Sequence, residues 1–159
     1  MPASTKIPPI HKSIRVAVPT ERAFEVFTAN MHRWWPAEHS LLKAPRASIT
    51  MEPRVGGRWY ERATDGSECP WGRVVSWNPP ERVVLTWQLT ADFVYDPAFE
   101  TELEIRFTPD GSNATRVDLE HRNLERYGEK ADTIRTMFDA PDGWGAGLAS
   151  FAAAAQAAS

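Results

Sequence analysis

Glu61, Arg73 and His121 are the side chains of this sequence best placed to do chemistry. The first two lie in neighbouring runs, Arg58-Trp59-Tyr60-Glu61 and Trp71-Gly72-Arg73-Val74-Val75-Ser76-Trp77, with a turn at Asp65-Gly66 between them. If the odd-numbered positions of both runs face inward, as Trp59, Val75 and Trp77 suggest, Glu61 and Arg73 point inward too. A hairpin centred on Ser67 then sets them opposite one another. A buried charge needs a partner, so the pair could anchor a ligand carboxylate or hydroxyl. The plainer alternative is that the strand ends are wet and both side chains reach water. A slip of one residue would reverse the two faces. His121 shares an apolar strand face with Val117 and Leu119. It could be a proton donor beside a pocket, or a core histidine bonded to a backbone carbonyl. Together, Glu61 and His121 are the candidate catalytic pair, because a pocket that excludes water and holds one acid and one base suffices for enolate chemistry.

Other chemistries lack their residues. His11, His32 and His39 show no HExxH or HxH spacing, so no metal site is expected. No GxSxG elbow is present, and Cys69, beside Pro70 at a turn, has no sequence-local base. Gly56-Gly57 precedes a strand and not a helix, which does not make a phosphate loop. No cofactor is therefore expected.

Composition sets the frame for these residues. A length of 159 residues suits one domain with a full hydrophobic core. The net charge is −3 with both signs interspersed, so no basic field for nucleic acid is visible. One cysteine cannot form an internal disulfide. Met1 to Pro9 lacks the apolar run of a secretory signal, and no stretch approaches the roughly 20 apolar residues of a membrane span, so a cytoplasmic protein is expected. Tryptophan is the outlier, with seven copies. Burying one indole removes roughly 150–250 Å² from water, worth about 4–6 kcal/mol gross at about 25 cal/mol per Å². Such rings make either a bulky core or an aromatic-lined pocket.

The elements that must position these residues can be read from periodicity. Residues 1–9, with three prolines, read as a flexible tail. Ile10 to Val18 alternates and predicts a strand. Thr20 and Glu21 then open a helix with Ala23, Phe24, Val26 and Phe27 on one face, running on through Met31, Trp34 and Trp35 until Pro36 stops it. Trp34 and Trp35 could form a lid or seal the core edge. Residues 36–44 read as loop. Strands are predicted over 47–52, 58–62, 71–77 and 82–89, and 92–99 reads as a loop over one end of the sheet. The final hairpin is the clearest: Phe107 opposite Val117, Ile105 opposite Leu119 and Leu103 opposite His121, with Arg106 facing Asp118 and Glu102 facing Arg122. Residues 124–140 are mixed and polar and read as a short helix with a loop. Trp144, Leu148, Phe151 and Ala155 then form one stripe of a last helix. Gly143, Gly145 and Gly147 weaken that helix by about 1 kcal/mol each, in return for close approach to the sheet or open space beside it. The order β-α-β6-α predicts an α+β helix-grip: a seven-stranded curved antiparallel sheet wrapped around a long C-terminal helix.

The same residues carry a family resemblance. Val18-Pro19 before a helix bearing Phe24 and Phe27, Trp34-Trp35, Gly56-Gly57-Arg58-Trp59, Gly72-Arg73-Val74 followed by Asn78-Pro79-Pro80-Glu81-Arg82, Thr86-Trp87 and Gly143-Trp144 occur in characteristic order over roughly residues 10–155. In this the chain resembles the activator of heat-shock protein 90 ATPase homologue 1-like family. That family lies within the START-like superfamily, which also holds polyketide cyclases (SRPBCC proteins). The resemblance implies a single START-like domain over 10–157 with an internal apolar cavity. It also implies that family members stimulating the chaperone carry an additional N-terminal domain. The first strand here starts near Ile10, so chaperone contact is not expected.

The function expected is binding of a small hydrophobic or aromatic molecule between the sheet and the last helix. Trp34, Trp35, Trp59, Val75, Trp77 and Leu85 would line or support the cavity from one side. Trp87, Leu103, Ile105, Leu119, Trp144, Leu148 and Phe151 would do so from the other, and Arg73, Glu61 and His121 would orient the ligand's polar end. The alternatives are a cyclase- or hydrolase-type enzyme using Glu61 and His121, and a partner-binding module, either chaperone-associated or a homodimer.

Overall fold

The computed structural model describes residues 7–35 and 44–157. Most of the expected tail, most of the loop after Trp35 (with His39) and the last two residues lie outside the described residues. Seven strands follow one another as β1 (Ile10–Val16), β2 (Arg46–Met51), β3 (Arg58–Ala63), β4 (Glu68–Asn78), β5 (Arg82–Trp87), β6 (Thr101–Pro109) and β7 (Thr115–Arg122). Helices α1 (Thr20–Thr28) and α2 (Met31–Trp34) sit between β1 and β2. A 3-10 segment (Leu124–Lys130), α3 (Ala131–Asp139) and α4 (Trp144–Ala157) follow β7. The strands form one antiparallel sheet in the order β1-β7-β6-β5-β4-β3-β2, curled into a half-barrel around α4. This is the predicted helix-grip. None of the described helices is long and apolar enough to cross a membrane.

Alternation places the core. The β6–β7 register is the predicted one, with Leu103, Ile105 and Phe107 paired to His121, Leu119 and Val117, all buried. The outer face of the same strands is charged. Glu102 takes an ion pair from Arg122 as expected, at 2.8 Å. Arg106, although paired in register with Asp118, turns to Glu104 at 2.8 Å. Glu104 also accepts from Arg82 and Arg122, each at 2.7 Å, and so gathers three guanidinium groups. On α4, the stripe Trp144, Leu148, Phe151 and Ala155 is buried as its spacing requires. Phe151 packs edge-on against Phe27 of α1, with centroids 5.3 Å apart.

Two local expectations differ from the structure. The helix after Pro19 is broken into α1 and α2 at Ala29-Asn30, and Pro19, which has no side chain to donate or accept, takes the N-cap position in place of Thr20. Strand β4 is longer than expected and carries two bulges. Trp59 pairs with Gly72 but Tyr60 pairs with Pro70, leaving Trp71 as the extra residue. Val74 pairs with Leu85 but Ser76 pairs with Val84, leaving Val75 extra. Each bulge inserts one residue and shifts the facing of the residues beyond it. Trp71 and Val74 therefore both point inward, which strict alternation forbids.

Candidate functional site

One end of the half-barrel holds a pocket of about 330 Å³ lined by Trp35, Trp71, Trp87 and Trp144, with Leu89, Phe93, Met137, Phe138, Asp142, Gly143 and Gly147 completing the wall and mouth. Four elements deliver the indoles. Trp35 follows α2, Trp71 is the bulged residue of β4, Trp87 ends β5 and Trp144 opens α4. They pack on one another: Trp35 lies 4.9 Å from Trp71 and 5.8 Å from Trp144, and Trp87 lies 5.4 Å from Trp144. The T-shaped and tilted geometry suits the quadrupoles of the rings. The glycines before and within α4 fit this arrangement. A Cβ on Gly143 would sit 2.2 Å from the Phe138 carbonyl oxygen, so the turn from α3 admits no side chain there. Gly147 lines the pocket a turn beyond Trp144 and keeps that space open.

His121 lies behind this wall, fully buried. Trp144 Nε1 donates to His121 Nδ1 at 3.1 Å, and His121 Nε2 lies 2.8 Å from Thr101 Oγ1. With Nδ1 accepting, the ring proton belongs on Nε2, and Thr101 donates its own hydroxyl proton to the Trp87 carbonyl at 3.2 Å. The imidazole also stacks on Phe138 at 5.5 Å. Burial without a charged partner lowers its pKa from 6.5 to about 3. Both nitrogens are thus occupied in a neutral ring that fixes the orientation of Trp144. The ring sits in the core, with side chains and not a backbone carbonyl as its partners.

The other predicted residues divide by position. Glu61 is inward and fully buried, as its parity suggested, and accepts from Trp71 Nε1 at 3.3 Å. Its cross-strand neighbour is Cys69, not Arg73. Arg73 is a correction: the bulge at Trp71 turns it outward, where it reaches Glu100 at 3.0 Å and Gln88 at 3.3 Å, so it cannot anchor a ligand inside. Val75, the second bulged residue, is likewise exposed at 36% and does not line a cavity. Trp77 packs half-buried on Phe24, with centroids 5.1 Å apart, at the end of the sheet that α1 covers. Trp34, Trp59, Leu85, Leu103, Ile105, Leu119, Leu148 and Phe151 are buried core that supports the fold without lining the pocket. Trp59 backs the wall 5.3 Å from Trp71.

Sequence reasoning missed Trp71, Leu89, Phe93, Met137, Phe138 and Asp142 as pocket residues. Ile134 and Phe138 share the buried face of α3, and that i, i+4 spacing was the available signal. Phe93 gave none, because it sits at φ 58°, a left-handed conformation unusual for a bulky side chain. Among the described residues, no three His, Cys, Asp or Glu side chains come together to hold a metal.

Comparison with known proteins agrees with this architecture. The family model described as activator of Hsp90 ATPase homolog 1-like protein matches residues 17–156. No curated protein sequence matches the chain significantly. Among solved structures, an anthrahydroquino-gamma-pyrone synthase, Txn09, is 43% identical, with a TM-score of 0.65 over 92% of this chain and 96% of the other. CalC, a self-sacrificing resistance protein from Micromonospora echinospora, is 28% identical, with a TM-score of 0.70 over 93% of this chain and 94% of its own. An HSP90 activator from Plasmodium falciparum shares the fold at 19% identity and a TM-score of 0.52, over 73% of each chain. On the extent of the family match and the 43% identity, the chain belongs to the activator of Hsp90 ATPase homolog 1-like family.

Proposed function

We propose that this protein binds a flat, largely apolar aromatic molecule in the pocket between the open end of the sheet and α4. The observation that carries the reading is the convergence of four indoles from four separate elements on a space of about 330 Å³. That volume is at the small end of ligand pockets, roughly 300–1,000 Å³, and suits a molecule of a few fused rings. The 43% identity to a synthase named for an anthrahydroquinone-derived pyrone supports the aromatic class. A titration against neutral fused-ring aromatics and single-chain lipids, read by tryptophan quenching and thermal shift, tests it. Aromatics should quench saturably and raise the melting temperature. No shift from any compound, or equal affinity for lipid chains, would overturn the reading.

The same identity favours a second reading, in which the ligand is converted as well as held. A hydroxyl oxygen of the ligand would add to a carbonyl carbon of the same molecule, and the ring so formed would lose water, with no oxidant or reductant needed. The neutral, doubly bonded His121 supports positioning of Trp144 in this scheme and not proton transfer. Incubation with a hydroxylated aromatic diketone, followed by mass spectrometry for loss of one water, decides between holding and converting.

A further inference from the structure

Charge on the described lining of the pocket is one-sided. The described lining contains no Lys, Arg or His, and its single ionisable side chain is Asp142, at the mouth beside Gly143 and Trp144. Two other acids adjoin the lining residues Phe93 and Phe138 in sequence, and each has a cation: Asp92 meets Lys130 at 3.7 Å, and Asp139 meets Lys12 at 2.8 Å and Arg135 at 4.0 Å. Asp142 makes no hydrogen bond or ion pair among the described residues. Arg73, the cation expected inside, points away on the outer face and is held by Glu100.

These observations set the sign of the ligand. An anionic group entering the pocket would lose water and meet indoles and a carboxylate, with no described cation to replace its hydration. A protonated amine would meet ring systems whose faces attract cations and a carboxylate free to pair with it. Two features work the other way: the Trp35 indole N–H, buried without a partner among the described residues, would donate to an acceptor, and the backbone N–H groups at the start of α4 favour negative charge. Asp142 already stands at that helix end and offsets the second.

We infer that the pocket selects aromatic ligands bearing a protonated amine at the mouth and rejects those bearing a carboxylate, with Asp142 as the residue that sets this preference. The inference rests on the proposed binding function, and one experiment separates the two. Three anthracene probes carry, at the same central carbon, a methylaminomethyl, a hydroxymethyl or a carboxylate group. Their binding is read at pH 7 from the fluorescence anisotropy of the anthracene. The amine should bind about fivefold more tightly than the alcohol, and the carboxylate more weakly than either. Asp142→Asn should bring the amine-to-alcohol ratio close to one, and Asp142→Glu should preserve most of it. If the alcohol binds but the amine has no advantage, or the carboxylate binds best, the charge inference falls while the aromatic pocket stands. An Asp142→Asn variant that leaves the ratio unchanged overturns the charge inference as well. If none of the three binds, both fall.

Discussion

His121 shows how one residue can look catalytic in a sequence and be structural in the molecule. Its alternating neighbours said only that it points inward. The partners that decide its role, Thr101 and Trp144, lie 20 and 23 residues away. Its titration is nevertheless consequential. The folded pKa is about 3 against an ordinary 6.5, so as pH falls the unfolded chain takes up the proton first. The stability this site contributes is complete above pH 6.5 and is lost progressively from there down to about 3. Between pH 6.5 and 5, the loss should be roughly 2 kcal/mol. Glu104, Asp118 and Asp139 are all held below their usual carboxylate range and give up their contributions only at lower pH. His121→Gln keeps a neutral donor and acceptor but does not titrate. Urea midpoints of this variant should change little between pH 6.5 and 5, whereas those of the parent fall. A parent midpoint that stays flat over the same interval would show that the ring is not buried in its neutral form.

At the scale of elements, β4 decides which predictions succeed. Where alternation is unbroken, as in β6 and β7, the sequence was enough to set the register residue by residue. Where two bulges interrupt it, period-two reasoning placed Glu61 correctly and Arg73 and Val75 on the wrong face. The bulges answer to partner strands and not to local composition. Gly72 is the one local mark: a Cβ there would fall 2.0 Å from the Thr86 carbonyl oxygen of β5. Gly72→Ala should therefore destabilise by about 1–3 kcal/mol by thermal melting, and because it shifts Trp71 it should also weaken aromatic binding. On the outer face, burial acts to raise the pKa of Glu104, but hydrogen bonds from Arg122 and Arg82 outweigh it and the carboxyl is held low. Removing its charge leaves three partly exposed guanidinium groups close together. Glu104→Gln should cost about 1–3 kcal/mol in chemical denaturation, with no change in pocket affinity. A loss of affinity would show that the outer face and the pocket are coupled.

Across the whole molecule, the helix-grip was legible because its cues are long and redundant: strand patterns, one amphipathic closing helix and turn residues between them. The pocket was only half legible. Trp35, Trp87 and Trp144 were in view, but Phe93, Met137, Phe138 and Asp142 come from loops and from α3, whose placement depends on packing and not on periodicity. Filling the pocket should stabilise the entire fold by mass action. A ligand at about 100 times its Kd adds about 2.7 kcal/mol, or about 5–10 °C in Tm for a chain of this size. A ligand that saturates the quench yet leaves Tm unmoved would be binding elsewhere. The indole cluster has one more consequence. Trp35, Trp59, Trp71, Trp87 and Trp144 form an unbroken chain of ring contacts, each centroid within 6.5 Å of another. Chromophores this close and this obliquely set share their electronic excitations, so their near-ultraviolet circular dichroism belongs to the group and not to any single member. A small rotation of one ring rewrites the whole spectrum, and the protein thereby carries an intrinsic optical gauge of its own interior.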